Sequence, residues 1–171
     1  MNKIFEKLTN QLTETIDSSV ALALHNKNQE VEVIHLLWAL LTNTNSVLNQ
    51  LLNKMNVNKV AVELEAKSYA SKLPSVSSVT KENIKLSRNL SSSLQNAEGL
   101  MASFGDKFIA VDTWLISNLD SQTLKDVLGK YVDLKEAKKE LEAMRAGKTI
   151  DSNSGDENLE ALNKYGIDLN K

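Results

Sequence analysis

VEVIHLLWALL at residues 31–41 and IAVDTWLISNL at residues 109–119 decide the fold. Val31, Val33, Leu37 and Leu41 of the first stretch correspond to Ile109, Val111, Leu115 and Leu119 of the second, 78 positions on. Each stretch is apolar on most sides, which predicts a short helix buried at the centre of a helical unit. The correspondence continues outward. Leu8, Leu12, Ile16 and Leu22 match Leu86, Leu90, Leu94 and Leu100 at the same offset, and Leu51-Leu52 stands against Val127-Leu128 at an offset two shorter. One helical unit is therefore present twice. A duplicated helical unit with a shared core carries binding surfaces more often than reaction centres.

The periodicity lays out the first copy as helices over about 5–25, 33–41, 47–55 and 59–72, with Asn58 as the N-cap of the last. Ser71 to Val79 forms a bridge, where Pro74 and the serines interrupt the pattern. In the second copy Thr80 is positioned to cap a helix carrying Ile84, Leu86, Leu90, Leu94, Ala97, Met101 and Phe104. Gly105-Asp106 makes a turn, Val111 to Leu119 forms the second buried helix, and Asp133 with Glu136 has the spacing of a capping box before Leu134 to Arg145. The expected architecture is all-α: two pseudo-symmetric four-helix repeats, about 1–73 and 80–146, packed into one domain over 1–146. GKTIDSNSGD, 147–156, has the composition of a flexible linker.

Composition narrows the chemistry. The chain has 171 residues, 42% of them hydrophobic and 25% charged, which is globular rather than disordered. A net charge of -2 without a basic run gives no electrostatic basis for binding nucleic acid. Cysteine is absent, which removes disulfides, thiolate ligands and thiol nucleophiles and fits a reducing compartment. Nowhere do 18 apolar residues run together and the start is too polar for a signal sequence, so the expectation is a cytoplasmic protein with no membrane segment. The closest approach to a phosphate loop, Ala146-Gly147-Lys148-Thr149, lacks the earlier glycine and precedes a linker. No nucleophile–base pair is apparent, so no enzymatic activity is expected. Glu32-x-x-His35 has the spacing of a di-iron bundle ligand pair, but the second copy places Ala110 and Thr113 there, so no metal site is expected. Core packing is expected for Trp38 and Trp114, with Trp114 the more exposed of the two.

LTNQL near the start, EVIHLLWALL, GDKFIAVDTWLISNL and ALNKYGIDLNK at the end, in this order and spacing, resemble the amino-terminal Clp repeat domain of the ClpB AAA+ disaggregases. The resemblance covers essentially the whole chain and identifies 157–171 as the start of a truncated first ATPase domain. It implies a non-catalytic module that engages unfolded or aggregated polypeptides for ATP-driven threading by a homohexamer, in cooperation with the DnaK chaperone system in the stress response. ATP and magnesium belong to the full-length protein and not to this fragment, and the isolated domain is expected to be a monomer. An adaptor-docking role, as in the related protease-coupled Clp unfoldases, is the alternative.

The family's client-binding residues match Thr9, Asp106 and Asp112, the last an aspartate where a relative carries glutamate. The resemblance also implies an apolar groove between the copies, with Leu94, Ile109 and Trp114 as its expected lining. Taken alone, Thr9 is a polar residue of the first helix and Asp106 a turn former. Asp112 is a carboxylate near a helix N-terminus, where it contributes about 0.3–1 kcal/mol.

Overall fold

The computed structural model describes residues 3–156. A short 3-10 turn, Lys3–Lys7, leads into α1 (Asn10–His25), followed by the two-residue strand β1 (Glu30–Val31). The first copy is completed by α2 (Val33–Thr42), α3 (Val47–Lys54) and α4 (Lys59–Ser71). The second consists of β2 (Lys85–Leu86), α5 (Arg88–Phe104), α6 (Val111–Asn118), α7 (Gln122–Val127) and α8 (Leu134–Arg145). The all-α, two-repeat expectation holds, and every residue from Val33 to Leu41 is buried. At about 1.5–3 kcal/mol per large apolar side chain, the two short central helices carry much of the driving force for folding.

Caps explain where the helices begin. Ser46, Asn58, Ser121 and Asp133 each accept a hydrogen bond from a backbone N–H in the first turn of the helix that follows. Two expected starts move. The first helix does not run through from Phe5: the chain breaks at Leu8, and the Thr9 hydroxyl accepts the Leu12 N–H, capping α1. Its counterpart 78 positions on, Ser87, caps α5 in the same way through the Leu90 N–H. Thr80 instead closes a turn, donating its N–H to Asn83 Oδ1 at 2.7 Å and accepting the Ile84 N–H.

The copies are joined by reciprocal exchange. Leu8 of the first pairs in parallel with Ile109 of the second, and Leu86 of the second pairs with Val31 of the first. Because Leu8 matches Leu86 and Val31 matches Ile109, these are one contact made twice. The same reciprocity governs the helices. α2 packs on α7 while α6 packs on α3, and α4 packs on α7 while α8 packs on α3. This is the pattern of a two-fold interface, here within one chain. A single apolar cluster, from Ile4 to Met144, runs through both copies.

Candidate functional site

Thr9, Asp106 and Asp112, drawn from distant parts of the chain, converge on one end of the second copy, where they are organised by residues the sequence did not single out. The Arg145 guanidinium lies between the two acids. Its Nε and Nη2 donate to Asp112 Oδ2 and Oδ1 at 2.8 and 2.7 Å, and its Nη1 donates to Asp106 Oδ2 at 2.7 Å. Nη2 also reaches Thr113 Oγ1 at 3.1 Å, Nη1 reaches the Lys148 carbonyl at 3.2 Å, and the guanidinium sits 5.1 Å from the centre of the Phe104 ring. Burial alone would lower the Arg145 pKa, but hydrogen bonds and charge from Asp112 and Asp106 raise it, so the cation persists.

Local sequence dictates this placement. Gly105 takes a left-handed conformation (φ 75°) that ends α5 and aims Asp106 inward. Asp112 occupies the first turn of α6, and Arg145 the last turn of α8, on the buried stripe begun by Ala137 and Leu141. The apolar register of α8 was the available signal, since it assigns a guanidinium to a core position. In the first copy Asn28 and Ile34 stand where Asp106 and Asp112 stand, so the acidic cluster belongs to the second copy alone.

The 147–156 stretch lies along this cluster. Ile150 is 1% exposed and packs with Ala110 and Phe108; its N–H donates to Asp106 Oδ1 at 2.8 Å and its carbonyl accepts the Lys107 N–H at 2.8 Å. The Asn153 carbonyl accepts the Asn10 N–H at 2.6 Å. Asp156 Oδ2 then accepts both the Thr9 hydroxyl, at 2.8 Å, and the Val111 N–H, at 3.3 Å, at the start of α6, where Ala110 provides no side-chain cap. Thr9 is thereby fully buried and Asp156 nearly so, with Asp156 Oδ1 unpartnered. Burial pushes the Asp156 carboxyl up to about 6. The segment 157–171, expected to open an ATPase domain, lies outside the described residues.

Three expectations are corrected by burial. Leu94, Ile109 and Trp114 line no groove: they are at most 1% exposed and belong to the shared core. Trp114 is the more enclosed tryptophan, not the less, because Ser93 Oγ accepts its indole N–H at 2.9 Å from within the α5–α6 contact. Thr9 is an enclosed cap rather than a solvated helix residue. A cleft of about 320 Å³ belongs almost wholly to the first copy, with Val111 its one contribution from the second, and is lined largely by polar side chains such as Gln11, Glu14, Ser18 and Thr42. A more apolar groove of about 340 Å³ lies within the second copy, over Ile116, Leu119 and Leu134, and is edged by Lys125, Lys135 and Lys138.

Glu32-x-x-His35 acquires a different meaning. His35 Nδ1 accepts the Glu32 N–H at 2.8 Å, leaving Nε2 to donate to Asn28 Oδ1 at 2.8 Å. The spacing is that of a helix cap in which the histidine reaches back to the cap residue's backbone. Among the described residues no group of His, Asp or Glu is arranged to hold a metal ion, and no helix is long and apolar enough to cross a membrane.

Comparison with known proteins places this geometry in a family. The model of the Clp repeat (R) N-terminal domain matches residues 7–131. The chaperone protein ClpB of Wolinella succinogenes is 58% identical over 165 residues, which is 96% of this chain and 19% of the relative. The chain thus spans about a fifth of the length of the curated relatives it matches. Among solved structures, the Hsp104 N-terminal domain from Candida albicans superposes with a TM-score of 0.79 at 22% identity, covering 88% of this chain and 99% of that one. A ClpV N-domain in complex with a VipB peptide superposes with a TM-score of 0.63 at 18% identity, covering 85% and 91%.

Proposed function

The chain belongs to the Clp repeat N-terminal domain family, and on that premise we propose that it is the polypeptide-binding module of a ClpB-type disaggregase. In this reading the domain engages unfolded or aggregated chains and passes them to an ATP-driven threading ring formed by the rest of the protein, a homohexamer working with the DnaK system. The domain itself performs no reaction. The observation that carries the proposal is the convergence of Thr9, Asp106 and Asp112 at one buried site on which residues 148–156 of the chain already lie. The polypeptide there is held mainly through its backbone, as the Lys107–Ile150 and Asn10–Asn153 hydrogen bonds illustrate. Backbone recognition suits a module that must accept many sequences. The peptide-bound ClpV N-domain supports the same use of the fold.

A titration of the isotope-labelled chain with an unfolded, aggregation-prone polypeptide tests the proposal by NMR. Weak, saturable shifts centred on Thr9, Asp106 and Asp112 are expected. Their absence at millimolar polypeptide would refute client capture and leave adaptor docking as the role of the domain.

A further inference from the structure

We infer that residues 148–156 act as a built-in occupant of the client-binding surface, which an incoming polypeptide must displace. The inference rests on the client-binding role proposed above and adds how that surface is regulated and what peptide chemistry it fits.

The segment after α4 in the first copy lies on its own repeat in a related way: Val76 donates its N–H to the Lys27 carbonyl, and Asn28 Nδ2 donates to the Pro74 carbonyl. There the chain then runs on to β2, and its course is fixed by the fold at both ends. In the second copy Lys148 to Ile150 lies against the matching turn through different bonds, Ile150 N–H to Asp106 Oδ1 and Lys107 N–H to the Ile150 carbonyl, but the stretch from Asp151 to Asp156 continues over the α6 N-terminus to Thr9, and no equivalent of the Thr9–Asp156 contact exists in the first copy. This additional stretch is held lightly. Between its two buried anchors, Ile150 and Asp156, residues 151–153 are exposed and 154–155 are half-buried. The Asp156 anchor is itself costly, because its carboxyl is buried with one oxygen unpartnered.

Lifting the segment away leaves a defined address. The N–H groups of Asn10, Lys107 and Val111 and the Thr9 hydroxyl lose their acceptors, and Asp106 Oδ1 loses the Ile150 N–H. Beside them Phe108 and Ala110 lose their apolar partner. The surface therefore fits a peptide with an aliphatic side chain and, six residues toward its C-terminus and beyond a turn like that of Ser152 to Gly155, a carboxylate.

Two changes loosen the segment without touching the surface beneath it. Ile150→Ser removes about three buried carbons, enough to weaken docking roughly 50-fold. Gly155→Val acts independently: a Cβ at Gly155 would lie 2.8 Å from Ile150 Cγ2, so the segment cannot close on itself without shifting. The experiment measures binding of two fluorescent probes, a synthetic GKTIDSNSGD peptide and a chemically unfolded polypeptide, to the full 171-residue chain. Wild type and both variants are compared, with circular dichroism confirming that each is folded. The expected result is that both variants bind both probes at least threefold more tightly than wild type, because the competent fraction rises. Equal binding of the unfolded polypeptide to wild type and both variants would overturn the inference while leaving the client-binding role standing. Binding of the peptide alone, with the polypeptide bound by none of the three, would instead refute the client-binding role and competition with it.

Discussion

Replacing Arg145 with methionine tests whether the guanidinium is the clamp of the second copy. Methionine keeps most of the side chain's length and apolar stem, so the loss is concentrated in charge and hydrogen bonds. Both carboxylates it holds are enclosed, with side-chain exposures of 0% for Asp106 and 6% for Asp112. Leaving a buried partner without its counter-charge costs about 3–5 kcal/mol, and the lost contact with the Phe104 face adds about 0.5–1 kcal/mol. Against a typical domain stability of about 5–15 kcal/mol that is a large fraction. At about 2–4 °C per kcal/mol for a domain of this size, the melting temperature should fall by roughly 7–24 °C. Thermal unfolding followed by circular dichroism measures it, in low and high salt. The deficit should barely change with salt, because buried pairs are weakly screened. Adding Asp106→Asn and Asp112→Asn to Arg145→Met removes the stranded charges and should recover much of the loss. A drop below about 3 °C for the single variant, or a deficit that disappears in high salt, would refute the clamp.

Three further outcomes follow from the same geometry. Burial holds His35 down at about 4 against an ordinary 6.5, so the folded state binds its proton later than the unfolded chain does. The associated stability, about 3 kcal/mol at about 1.4 kcal/mol per pKa unit, is present above pH 6.5 and lost as pH falls toward 4; urea titrations of wild type and His35→Gln should show the slope in the first and not in the second. Asp156 behaves oppositely: raised by burial, with the Asp112 charge adding to the rise and the Thr9 and Val111 hydrogen bonds opposing it, its carboxyl takes up a proton more readily when docked. Docking of 148–156 should therefore tighten as pH falls from about 6 toward 3.8 and stay at its weaker level above 6, seen as Ile150 methyl shifts that Asp156→Asn abolishes. Finally, Ala146 ends α8 in a left-handed conformation (φ 54°) that a Cβ disfavours, so Ala146→Gly should stabilise the protein by about 0.5–1 kcal/mol in chemical denaturation.

The duplicated frame was legible because burial imposes periodicity, and periodicity survives in the order of residues. Asn58 and Asp133 could be recognised as caps because each stands immediately before a helical stripe. Thr80 competed successfully on the same grounds, and only the Asn83 turn and the pairing of Leu86 with Val31 move the helix start on to Ser87. Two-residue strands have no period to detect, so the exchange of Leu8–Ile109 for Val31–Leu86 was invisible despite lying on aligned positions. The acids of the site were reached through resemblance. Their partner Arg145 could have been found from the α8 stripe, but a guanidinium at a helix C-terminus reads first as a favourable charge for the dipole. The groove expected over Leu94, Ile109 and Trp114 came from resemblance too, and the sequence offered no check on it, because apolarity alone does not separate core from cleft. Ile150, a lone apolar residue in a polar stretch, was the one local sign that 147–156 makes contact with the domain.

The reciprocal joining of the copies has a consequence for how the domain comes into being. Neither half carries a complete set of neighbours: Leu8 waits for Ile109 and Leu86 for Val31, each supplied from across the chain. Synthesis delivers the first half long before its complement, so its seam stays open until residues beyond 109 emerge. A polypeptide nicked in the serine-rich bridge should behave as two obligate complementing fragments, each poorly ordered alone and restored on mixing.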